Sequence, residues 1–572
     1  MKFRWFLTPS QPLLANQLAA SLAVSPLLAQ CLVNRGITAP ADAAAFLTPR
    51  LKSLADPFLL PNMSTAVERL WLARGRGEPL VIFGDYDVDG VTSTALLLET
   101  LRTLGWTAEA YLPSRMDEGY GLSRDGVENC LKKFSKTTLL LAVDCGSTAV
   151  ESIAWLGGRG VDVLVLDHHQ VSNPAPAAAA LVNPQLSADG KFHELCSVGL
   201  AFKLAHALVK RGREQGVLGF EDFDVRRLLD LVALGTVADL VPLTGENRIL
   251  VPAGLERLSA TKRPGLVALK KVAEMNGQVG TYEVGFQLGP RLNAAGRMEN
   301  AEAALRLILA ADIAEATPLA AELDARNRER QETERGITDQ AIGAARARFN
   351  PARDFVIVEG QLLWHIGVVG IVASRVLREF YRPTLILGGD NTEFRGSGRS
   401  IEGFDLAAAL RECDDLLVRH GGHAMAAGVT IQPDKVDALR ERLNVIAQRV
   451  LKTDQLQPTL RLDAEVELSN LTLNAVTELA RLEPFGQGNL AVQLAVRNLR
   501  CTRVPLRMGR GKQHAKLFLT DGTANAEAVF WGVGDAALPD GTFDLAAVPQ
   551  VNEFNGRRTV QLKVLDWRPA TT

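Results

Sequence analysis

Three aspartates occupy alternate positions in the segment VIFGDYDVDG, which starts at Val81: they are Asp85, Asp87 and Asp89. Carboxylates this close repel one another unless a cation or a proton neutralises them, so the segment is a candidate cation site. A calcium-binding EF-hand loop begins with the same spacing, but it requires a bidentate Glu at its twelfth position, where this chain has Leu96. The calcium-loop hypothesis therefore fails, and the acidic end of a catalytic strand is the better interpretation.

More acids follow hydrophobic runs further along the chain. One run ends at Asp144, a second ends at Asp167 and continues into His168 and His169, and Asp239 interrupts a third apolar stretch. A single aspartate at a strand end is more often a helix cap, and a single histidine is more often a core residue. Because the crevice of an open parallel sheet lies beyond the carboxyl ends of its strands, we expect these side chains to meet.

Such a cluster is physically reasonable mainly as a metal site. Carboxylates with one or two imidazoles, and no thiolates, favour Mn²⁺ or Mg²⁺ over zinc. Two ions that share a bridging carboxylate would activate water and stabilise the charge that develops on a phosphoryl oxygen. The residue types therefore predict phosphoryl chemistry with two divalent ions, Mn²⁺ or Mg²⁺, as cofactors.

The local patterns place these acids at the ends of strands. The segment 79–83 is typical of a short buried strand and 91–101 of a helix, so the three acids lie at a strand-to-helix turn. From about 56 to 310, strand-like and helical runs alternate, which indicates a mostly parallel sheet. Toward the C-terminus the hydrophobic period becomes two, with Asp-Gly and Asn-Gly turns, as in a small β-barrel such as the OB fold.

Length and composition indicate a multidomain protein. We expect a lead-in over 1–55, a catalytic core over 56–310, a helical connector over 311–352, a second α/β domain over 353–450 and a β-barrel over 455–572. Six scattered cysteines without C-x-x-C spacing argue against zinc ribbons and a disulfide framework. No run of about 18 apolar residues is uninterrupted, so we expect no membrane span and a cytoplasmic location.

The order of these motifs resembles the DHH phosphoesterase family. The D-x-D-x-D-G segment, the strand-end Asp144, the triplet Asp167-His168-His169 and the later Asp239 follow the family's order and spacing. The connector, a DHHA1-like second domain and an OB fold extend the resemblance to nearly the whole chain, toward the bacterial exonucleases of this family that are specific for single-stranded DNA. The implied fold class is α/β multidomain, with a parallel-sheet DHH core and a C-terminal OB-like barrel.

The resemblance implies roles for individual residues. The two ions would be bound by five side chains: Asp85, Asp87, Asp144, His168 and Asp239. Asp89 and His169 would complete the catalytic set as supporting or substrate-contacting groups. Some relatives have a histidine where this chain has Phe83, so this part of the first ion's coordination differs from theirs.

Several segments are candidates for binding DNA. In the core, Arg291, Asn293 and Arg297 lie among small residues in QLGPRLNAAGRM, and Arg115 follows a strand. The plain alternative is a turn with surface arginines. In the second domain we interpret two glycine-rich segments as loops that present N–H groups to a phosphate. Resemblance to the DHHA1 motif makes five of their residues candidates for gripping the strand end: Ser397, Arg399, Gly421, Gly422 and His423.

The C-terminal domain carries a basic hairpin near aromatic residues. A run of charges is usually only a solvated surface, but on an OB-like barrel it is typical of a single-strand track, with phosphates on cations and bases on rings. The cations are Arg503, Arg507, Arg510, Lys512, Lys516, Arg557 and Arg558, and the aromatics are Phe518, Phe530 and Trp531. A net charge of −2 neither supports nor excludes DNA binding, because local patches suffice.

The combined prediction is a metal-dependent 5′-to-3′ exonuclease that releases 5′-mononucleotides from single-stranded DNA. The first alternative is another DHH phosphoesterase, acting on short oligonucleotides, cyclic dinucleotides or pyrophosphate, although such an enzyme needs no barrel. The second is a nucleic-acid-binding scaffold with an inactive site, which the full set of acids and histidines disfavours. The resemblance further implies a monomer that works with single-strand binding protein and a DNA helicase in recombination and repair.

Overall fold

The computed structural model describes residues 3–114, 118–119, 121–298 and 301–570 of the chain. They form two compact units. The parallel-sheet unit comprises Thr48–Arg330 and Pro484–Leu490, and the mixed unit comprises Met1–Leu47, Gln331–Glu483 and Ala491–Thr572. Each unit is built from segments that are distant in sequence, so neither corresponds to one continuous stretch of the chain.

The N-terminal segment is part of the mixed unit and carries one strand and three helices. These elements are β1 (Arg4–Leu7), α1 (Pro12–Leu22), α2 (Pro26–Asn34) and α3 (Pro40–Leu47). Within the described ranges no single helix is long and apolar enough to cross a membrane, although the bent pair α1 and α2 meets that criterion by length and composition.

The parallel-sheet unit is centred on five strands in the order β3-β2-β4-β5-β6, all parallel. The strands are β2 (Leu80–Phe83), β3 (Ala108–Tyr111), β4 (Leu139–Val143), β5 (Asp162–Leu166) and β6 (Ala180–Val182). Along β2, Leu80 and Ile82 pack into one hydrophobic cluster while Val81 and Phe83 pack into another. The sheet is therefore buried on both faces, as its continuous apolar runs predict.

Helices flank this sheet. They are α4 (Met63–Arg76), α5 (Val88–Thr103), α6 (Arg124–Lys133), α7 (Val150–Gly157), α8 (Ser197–Glu214), α9 (Leu229–Ala238), α10 (Asn247–Ser259), α11 (Pro264–Val272), α12 (Thr281–Glu283), α13 (Gly289–Met298) and α14 (Glu302–Leu309). The 36-residue α15 (Ile313–Arg348) begins in this unit, and its residues from Gln331 onward belong to the mixed unit. A π-helical segment, Val284–Leu288, joins α12 to α13. Helix α5 is almost entirely buried because it packs on β2 and β3 as well as on α8 and α9.

The mixed unit contains a second five-stranded sheet, in the order β10-β11-β9-β8-β7. Its elements are β7 (Ile357–Leu362), α16 (Val369–Phe380), β8 (Thr384–Gly389), β9 (Phe394–Arg399), α17 (Leu406–Arg411), β10 (Arg419–Gly422), β11 (Ala426–Ile431) and α18 (Val436–Val450). Strands β7 and β8 are parallel and the other pairs are antiparallel.

The glycine-rich segments of this sheet are strands, so their interpretation as loops was wrong. Segment 394–399 is β9 and segment 419–428 covers β10 and the start of β11, so most of their N–H groups belong to sheet ladders. The glycines are needed for packing: a Cβ atom at Gly398 would lie 2.5 Å from Leu406, and one at Gly396 would overlap Leu387. Only the turn between β10 and β11, which starts at His423, is outside the ladder.

The C-terminal part of the mixed unit is a five-stranded circuit. Its elements are β12 (Thr459–Leu462), β13 (Ala464–Glu465), α19 (Leu473–Leu479), β14 (Leu494–Cys501), β15 (Leu506–Met508), β16 (His514–Thr520), β17 (Asn525–Phe530), β18 (Phe543–Phe554) and β19 (Arg557–Pro569). Strand β14 pairs with β18, β18 with β19, β19 with β17, β17 with β16, and β16 with β14. Separately, β1 pairs in parallel with β12.

The contact between α9 and α10 generates a prediction about stability. A Cβ atom at Gly254 of α10 would lie 2.6 Å from the Cβ atom of Ala233 in α9. Gly254→Ala must push the helices apart and should lower the free energy of unfolding by about 1–3 kcal/mol. Gly75→Ala is the matched control, because Gly75 of α4 faces open space and the change should stabilise by roughly 0.5–1 kcal/mol. Urea-unfolding midpoints compare the two variants, and equal midpoints would contradict the packing argument.

Candidate metal centre and substrate-binding residues

The loop after β2 is shaped by its own side chains and by a glycine. Asp87 is the N-cap of α5, and its Oδ1 accepts the N–H groups of Asp89 (2.9 Å) and Gly90 (3.1 Å). A Cβ atom at Gly90 would lie 2.5 Å from the carbonyl oxygen of Asp85, so only glycine lets the helix start this close to the strand end. Asp85 and Asp89 are buried as a result, and Asp87 is half-buried.

Asp89 is held by the start of α8. Its carboxylate accepts the N–H groups of Ser197 (2.7 Å) and Val198 (2.8 Å), two donors at a helix N-terminus where negative charge is favoured. Burial, and then the charge of Asp87, nevertheless raises the pKa of Asp89 to about 7. The hydroxyl of the same Ser197 donates to Oδ1 of Asp144 at 2.9 Å, so one residue orients two of the acids.

Asp144 follows β4 with a left-handed backbone, φ 63°, which few non-glycine residues adopt. It is completely buried, and burial followed by the charges of Asp89 and Asp87 raises its pKa well above the ordinary value. A conformation and an ionisation state that both cost energy are typical of a functional position.

The two histidines of the triplet after β5 differ in their hydrogen bonds and in their pKa values. Asp167 accepts the N–H groups of Ser147, His168 and His169, and its Oδ1 lies 2.8 Å from Nδ1 of His169. Burial opposes the charge on Asp167, but the hydrogen bond from His169 outweighs it, and the pKa lies below the ordinary value. Burial also opposes the charge on His169, but the bond with Asp167 raises the pKa of this imidazole to about 9.

His168 points into the carboxylate cluster. Its Nε2 lies 3.5 Å from an oxygen of Asp144, 3.6 Å from one of Asp239 and 4.0 Å from one of Asp89. Burial, and then the charge of His169, lowers the pKa of His168 to about 4, so the ring is neutral at physiological pH. A neutral imidazole with a lone pair aimed at three acids is suited to bind a cation.

The fourth acid comes from a helix end. Asp239 is the C-cap of α9, and burial followed by the charges of Asp89 and Asp87 raises its pKa to about 9. Its Oδ2, like Nε2 of His168, is buried and has no hydrogen bond within the described part of the chain. Buried polar atoms without partners are costly, so both atoms fit a position where a cation would bind.

The seven predicted catalytic side chains therefore meet at one edge of the sheet. They form three overlapping groups whose ligand atoms lie within 4.8 Å of one another. The groups are Asp85, Asp87 and Asp144; Asp89, His168 and Asp239; and Asp144, His168 and His169. Asp144 and His168 each belong to two groups, and oxygen with imidazole donors is the ligand set that Mn²⁺ and Mg²⁺ accept. Phe83 is fully buried against Tyr111 and contributes no ligand.

The helical segment that includes α13 braces the acidic loop. Oδ1 of Asn293 accepts the N–H of Val88 at 3.1 Å, and a Cβ atom at Gly296 would lie 2.6 Å from the carbonyl oxygen of Tyr86. Arg291 is occupied within its own unit, because it donates to Asp324 (2.9 Å) and to the carbonyl of Gln287 (2.7 Å). Arg297 lies one turn beyond Asn293. Arg115, also predicted to bind substrate, lies outside the described residues.

In the mixed unit, Ser397 and Arg399 lie beside the first turn of α16. Arg399 donates to the hydroxyl of Ser397 at 2.9 Å and to the carbonyl of Gly398 at 2.8 Å. A Cβ atom at Gly370 of α16 would be 3.1 Å from Oγ of Ser397 and 3.2 Å from Nη2 of Arg399. Gly421 and Gly422 at the end of β10, and His423 at the start of the following turn, are exposed.

On the C-terminal circuit, β16 alternates between buried residues and an outer row that includes Lys516 and Phe518. The guanidinium of Arg503 covers the ring of Phe518, 3.3 Å from its centroid, and Lys516 forms an ion pair with Glu527. Arg507 is tied to backbone carbonyls of Gly534 and Ala536. The remaining predicted groups differ in exposure: Arg510, Lys512, Trp531, Arg557 and Arg558 are exposed, and Phe530 is half-buried.

Comparison with known proteins agrees with this architecture. Family models match residues 79–236 as the DHH family N-terminal domain, 353–449 as the DHHA1 domain and 462–566 as the RecJ OB domain. A single-stranded-DNA-specific exonuclease RecJ of Bacillus subtilis is 37% identical over 99% of this chain and 71% of its own length. The chain belongs to the RecJ family.

Two crystal structures of RecJ from Thermus thermophilus extend this likeness to the whole fold. The structure in complex with Mn²⁺ has a TM-score of 0.85 and 31% identity, and the match covers all of this chain and 80% of that one. The structure with Mg²⁺ has a TM-score of 0.79 and 30% identity, covering all of this chain and 79% of that one. The predicted fold class, a parallel-sheet core with a second α/β domain and an OB-like domain, is confirmed.

Some supporting residues of this RecJ-family centre were not found from the sequence. Ser197 orients Asp89 and Asp144, while Asn183 donates to the hydroxyl of Ser147 and to the carbonyl of His169, at 2.8 Å each. None of the three lies next to an acid of the predicted motifs. The one available signal is Ser147, three residues after Asp144 in the segment DCGST, and it is weak.

Asp167 provides a test of this scaffold in the metal-free protein. The carboxylate of Asp167 accepts hydrogen bonds from four donors, and Asp167→Asn places an amide among them. The substitution should lower the free energy of unfolding by about 1.5–3 kcal/mol for each charged hydrogen bond lost. Asp162→Asn, at the other end of β5, removes an ion pair from an exposed carboxylate and should cost at most about 1 kcal/mol. Urea unfolding in the presence of a chelator gives both values, and an equal loss would refute the proposed role of Asp167.

Proposed function

We propose that this chain is a metal-dependent exonuclease that degrades single-stranded DNA from the 5′ end and releases 5′-mononucleotides. The observation that carries the proposal is the pair of ligand groups at the sheet edge, one built on Asp85, Asp87 and Asp144 and the other on Asp89, His168 and Asp239. Relatives that are similar over nearly all of this chain, among them those from Bacillus subtilis and Thermus thermophilus, support the substrate and the metals.

Two divalent ions, Mn²⁺ or Mg²⁺, would supply Lewis-acid stabilisation of the charge on the phosphoryl oxygens. Asp85, Asp87, Asp144, His168 and Asp239 would hold them. With cations present, the carboxylates no longer need protons to relieve their repulsion, so the raised pKa values of Asp144 and Asp239 are properties of the metal-free site.

His169 has a separate role in this proposal. Its Nδ1 is engaged by Asp167, and its side chain is 38% exposed, so the other ring nitrogen is available to a ligand. In the metal-free site burial opposes the charge on this ring, but the hydrogen bond with Asp167 raises its pKa to about 9, which favours the charged form. A charged N–H donor beside the cation ligands can hold a non-bridging oxygen of the scissile phosphate, where negative charge increases during the reaction.

We place the strand-end site in the mixed unit. Ser397 and Arg399 offer a hydroxyl and a guanidinium next to the N-terminal turn of α16, where backbone dipoles favour an anion. Gly421, Gly422 and His423 are exposed on the hairpin formed by β10 and β11, and the open space beside Gly421 leaves room for a phosphate. The resemblance to the family is the basis for assigning the 5′ end.

The outer surface of the C-terminal domain fits the path of a longer strand. Exposed cations at Arg510, Lys512, Arg557 and Arg558 can neutralise phosphates, and Trp531 is exposed for stacking. The proposal also includes a cytoplasmic monomer assisted by single-strand binding protein and a DNA helicase in recombination and repair, as the resemblance implies.

The metal-centre prediction uses end-labelled single strands. Wild-type protein should release mononucleotides with Mn²⁺ and not with a chelator, while Asp144→Asn and His168→Ala should lower kcat by at least ~1000-fold, because they remove interactions that act on the transition state. Asp222→Asn, an exposed carboxylate of the same unit, is the control and should leave kcat unchanged. Metal-independent release, or hydrolysis only of cyclic dinucleotides or pyrophosphate, contradicts the proposal.

Polarity is tested with strands that differ only in their 5′ phosphate. Arg399→Ala should raise KM or lower kcat/KM mainly on 5′-phosphorylated strands, by roughly the 10-fold or more that 1.5–3 kcal/mol for a charged hydrogen bond implies. Arg353→Ala removes an exposed arginine of the same domain and should have no such effect. Degradation from the 3′ end, or an equal loss of kcat/KM on phosphorylated and unphosphorylated strands, would contradict the strand-end assignment.

A further inference from the structure

Three exposed apolar side chains lie on two segments next to the metal centre. Leu240 is 72% exposed, Tyr282 is 62% exposed and Phe286 is 69% exposed. Single exposed hydrophobic residues are common and need no explanation, whereas neighbouring ones mark binding surfaces. None of the three is one of the proposed metal ligands or one of the residues that orient those ligands.

Tyr282 and Phe286 form a preassembled aromatic pair. Their ring centroids are 4.9 Å apart and the planes are inclined by 28°, so the rings are stacked. The intervening Val284 and the following Leu288 are fully buried, which fixes the π-helical segment against the core and turns the rings to solvent. The base of the segment is anchored as well, because Thr281 donates to the carbonyl of Phe485 at 2.9 Å.

The segment is also fixed to both halves of the metal centre. A Cβ atom at Gly289 would lie 3.6 Å from the Cβ atom of Ala238, the residue before Asp239. Further along, Asn293 accepts the N–H of Val88, which follows Asp87. Phe286 precedes Asn293 by seven residues, or about 10 Å of helix, so the rings are held a short distance from the acids.

Leu240 lies two residues after Ala238, the residue that faces Gly289. It directly follows Asp239 and has φ 62°, a conformation that leucine rarely adopts. Its side chain is exposed even though it adjoins a buried metal ligand. Glycine or asparagine would meet the backbone requirement at lower cost, so the exposed leucine is a candidate contact for a ligand.

We infer that Leu240, Tyr282 and Phe286 form an apolar ledge on which nucleobases of the strand stack beside the scissile phosphate, a role that rests on the proposed function. A nucleobase has two flat faces that are apolar enough to stack on an aromatic ring, and such stacking is insensitive to sequence. In a duplex these faces are already covered by neighbouring base pairs. The ledge therefore adds selectivity for single strands at the catalytic unit itself, independently of the C-terminal domain.

The test combines ring removal with base removal. The variant Tyr282→Ala/Phe286→Ala should raise KM for a 5′-phosphorylated oligothymidylate by about 10-fold, within the range for loss of a base–aromatic stack. On a strand whose first nucleotides at the 5′ end are abasic, wild type and variant should have equal KM values. Phe286→Trp keeps an aromatic ring and should bind the base-containing strand about as tightly as wild type. Leu240→Ala should raise KM in the same base-dependent way.

Leu218→Ala is the matched control, because Leu218 is 96% exposed in the same unit and far in sequence from the ledge. Anisotropy titrations of the same labelled strands in the Asp144→Asn background provide a readout that does not need turnover. An equal loss of affinity for base-containing and abasic strands, or no loss for either, contradicts base stacking on the ledge. A protein partner is then the ligand to test at this surface. Failure of wild type to degrade any strand with Mn²⁺ overturns the proposed function instead, and the titrations then still decide whether the ledge binds bases.

Discussion

Mutual repulsion among buried carboxylates is the constraint on which the rest of the parallel-sheet unit depends. Asp85, Asp89 and Asp144 are all but inaccessible, and no lysine or arginine in the described part of the chain forms an ion pair with Asp89 or Asp144. The fold instead supplies backbone N–H groups, one serine hydroxyl and a neutral imidazole. These groups orient the acids without cancelling their charge, so bound cations are needed to relieve the repulsion among the carboxylates.

This constraint explains why two kinds of structural element end at the same place. The strands β2, β4 and β5 deliver their acids at one sheet edge, while the N-termini of α5 and α8 direct N–H groups at Asp87 and Asp89. Glycines at positions 90 and 296 then let backbone approach where a Cβ atom would collide. Local geometry is thus arranged for ligand placement at the expense of intrinsic stability, as is usual for functional sites.

The sequence was sufficient for features that depend on local pattern. Hydrophobic runs that end on acids predicted the strand ends, and the order of the motifs predicted which acids would meet, because parallel strands share one carboxyl edge. The glycine-rich segments of the second domain misled, since glycine serves close strand packing at Gly396 and Gly398 as readily as it serves a phosphate-binding loop. Ser197 and Asn183 were missed because their partners are set by tertiary contacts, which leave no periodic signal.

Arginine shows most clearly why residue type alone does not assign a binding role. Arg291 stands in a motif that is typical of anion binding, yet two of its donors are already engaged by Asp324 and the carbonyl of Gln287. Arg507 is likewise committed to backbone carbonyls, and Arg503 covers an aromatic ring. An arginine can bind a phosphate only with donors that the fold has left over, or by exchanging one partner for another at a cost. Selectivity for a flexible strand therefore has to rely on exposed rings as well as cations, since stacking requires no charged partner to be displaced.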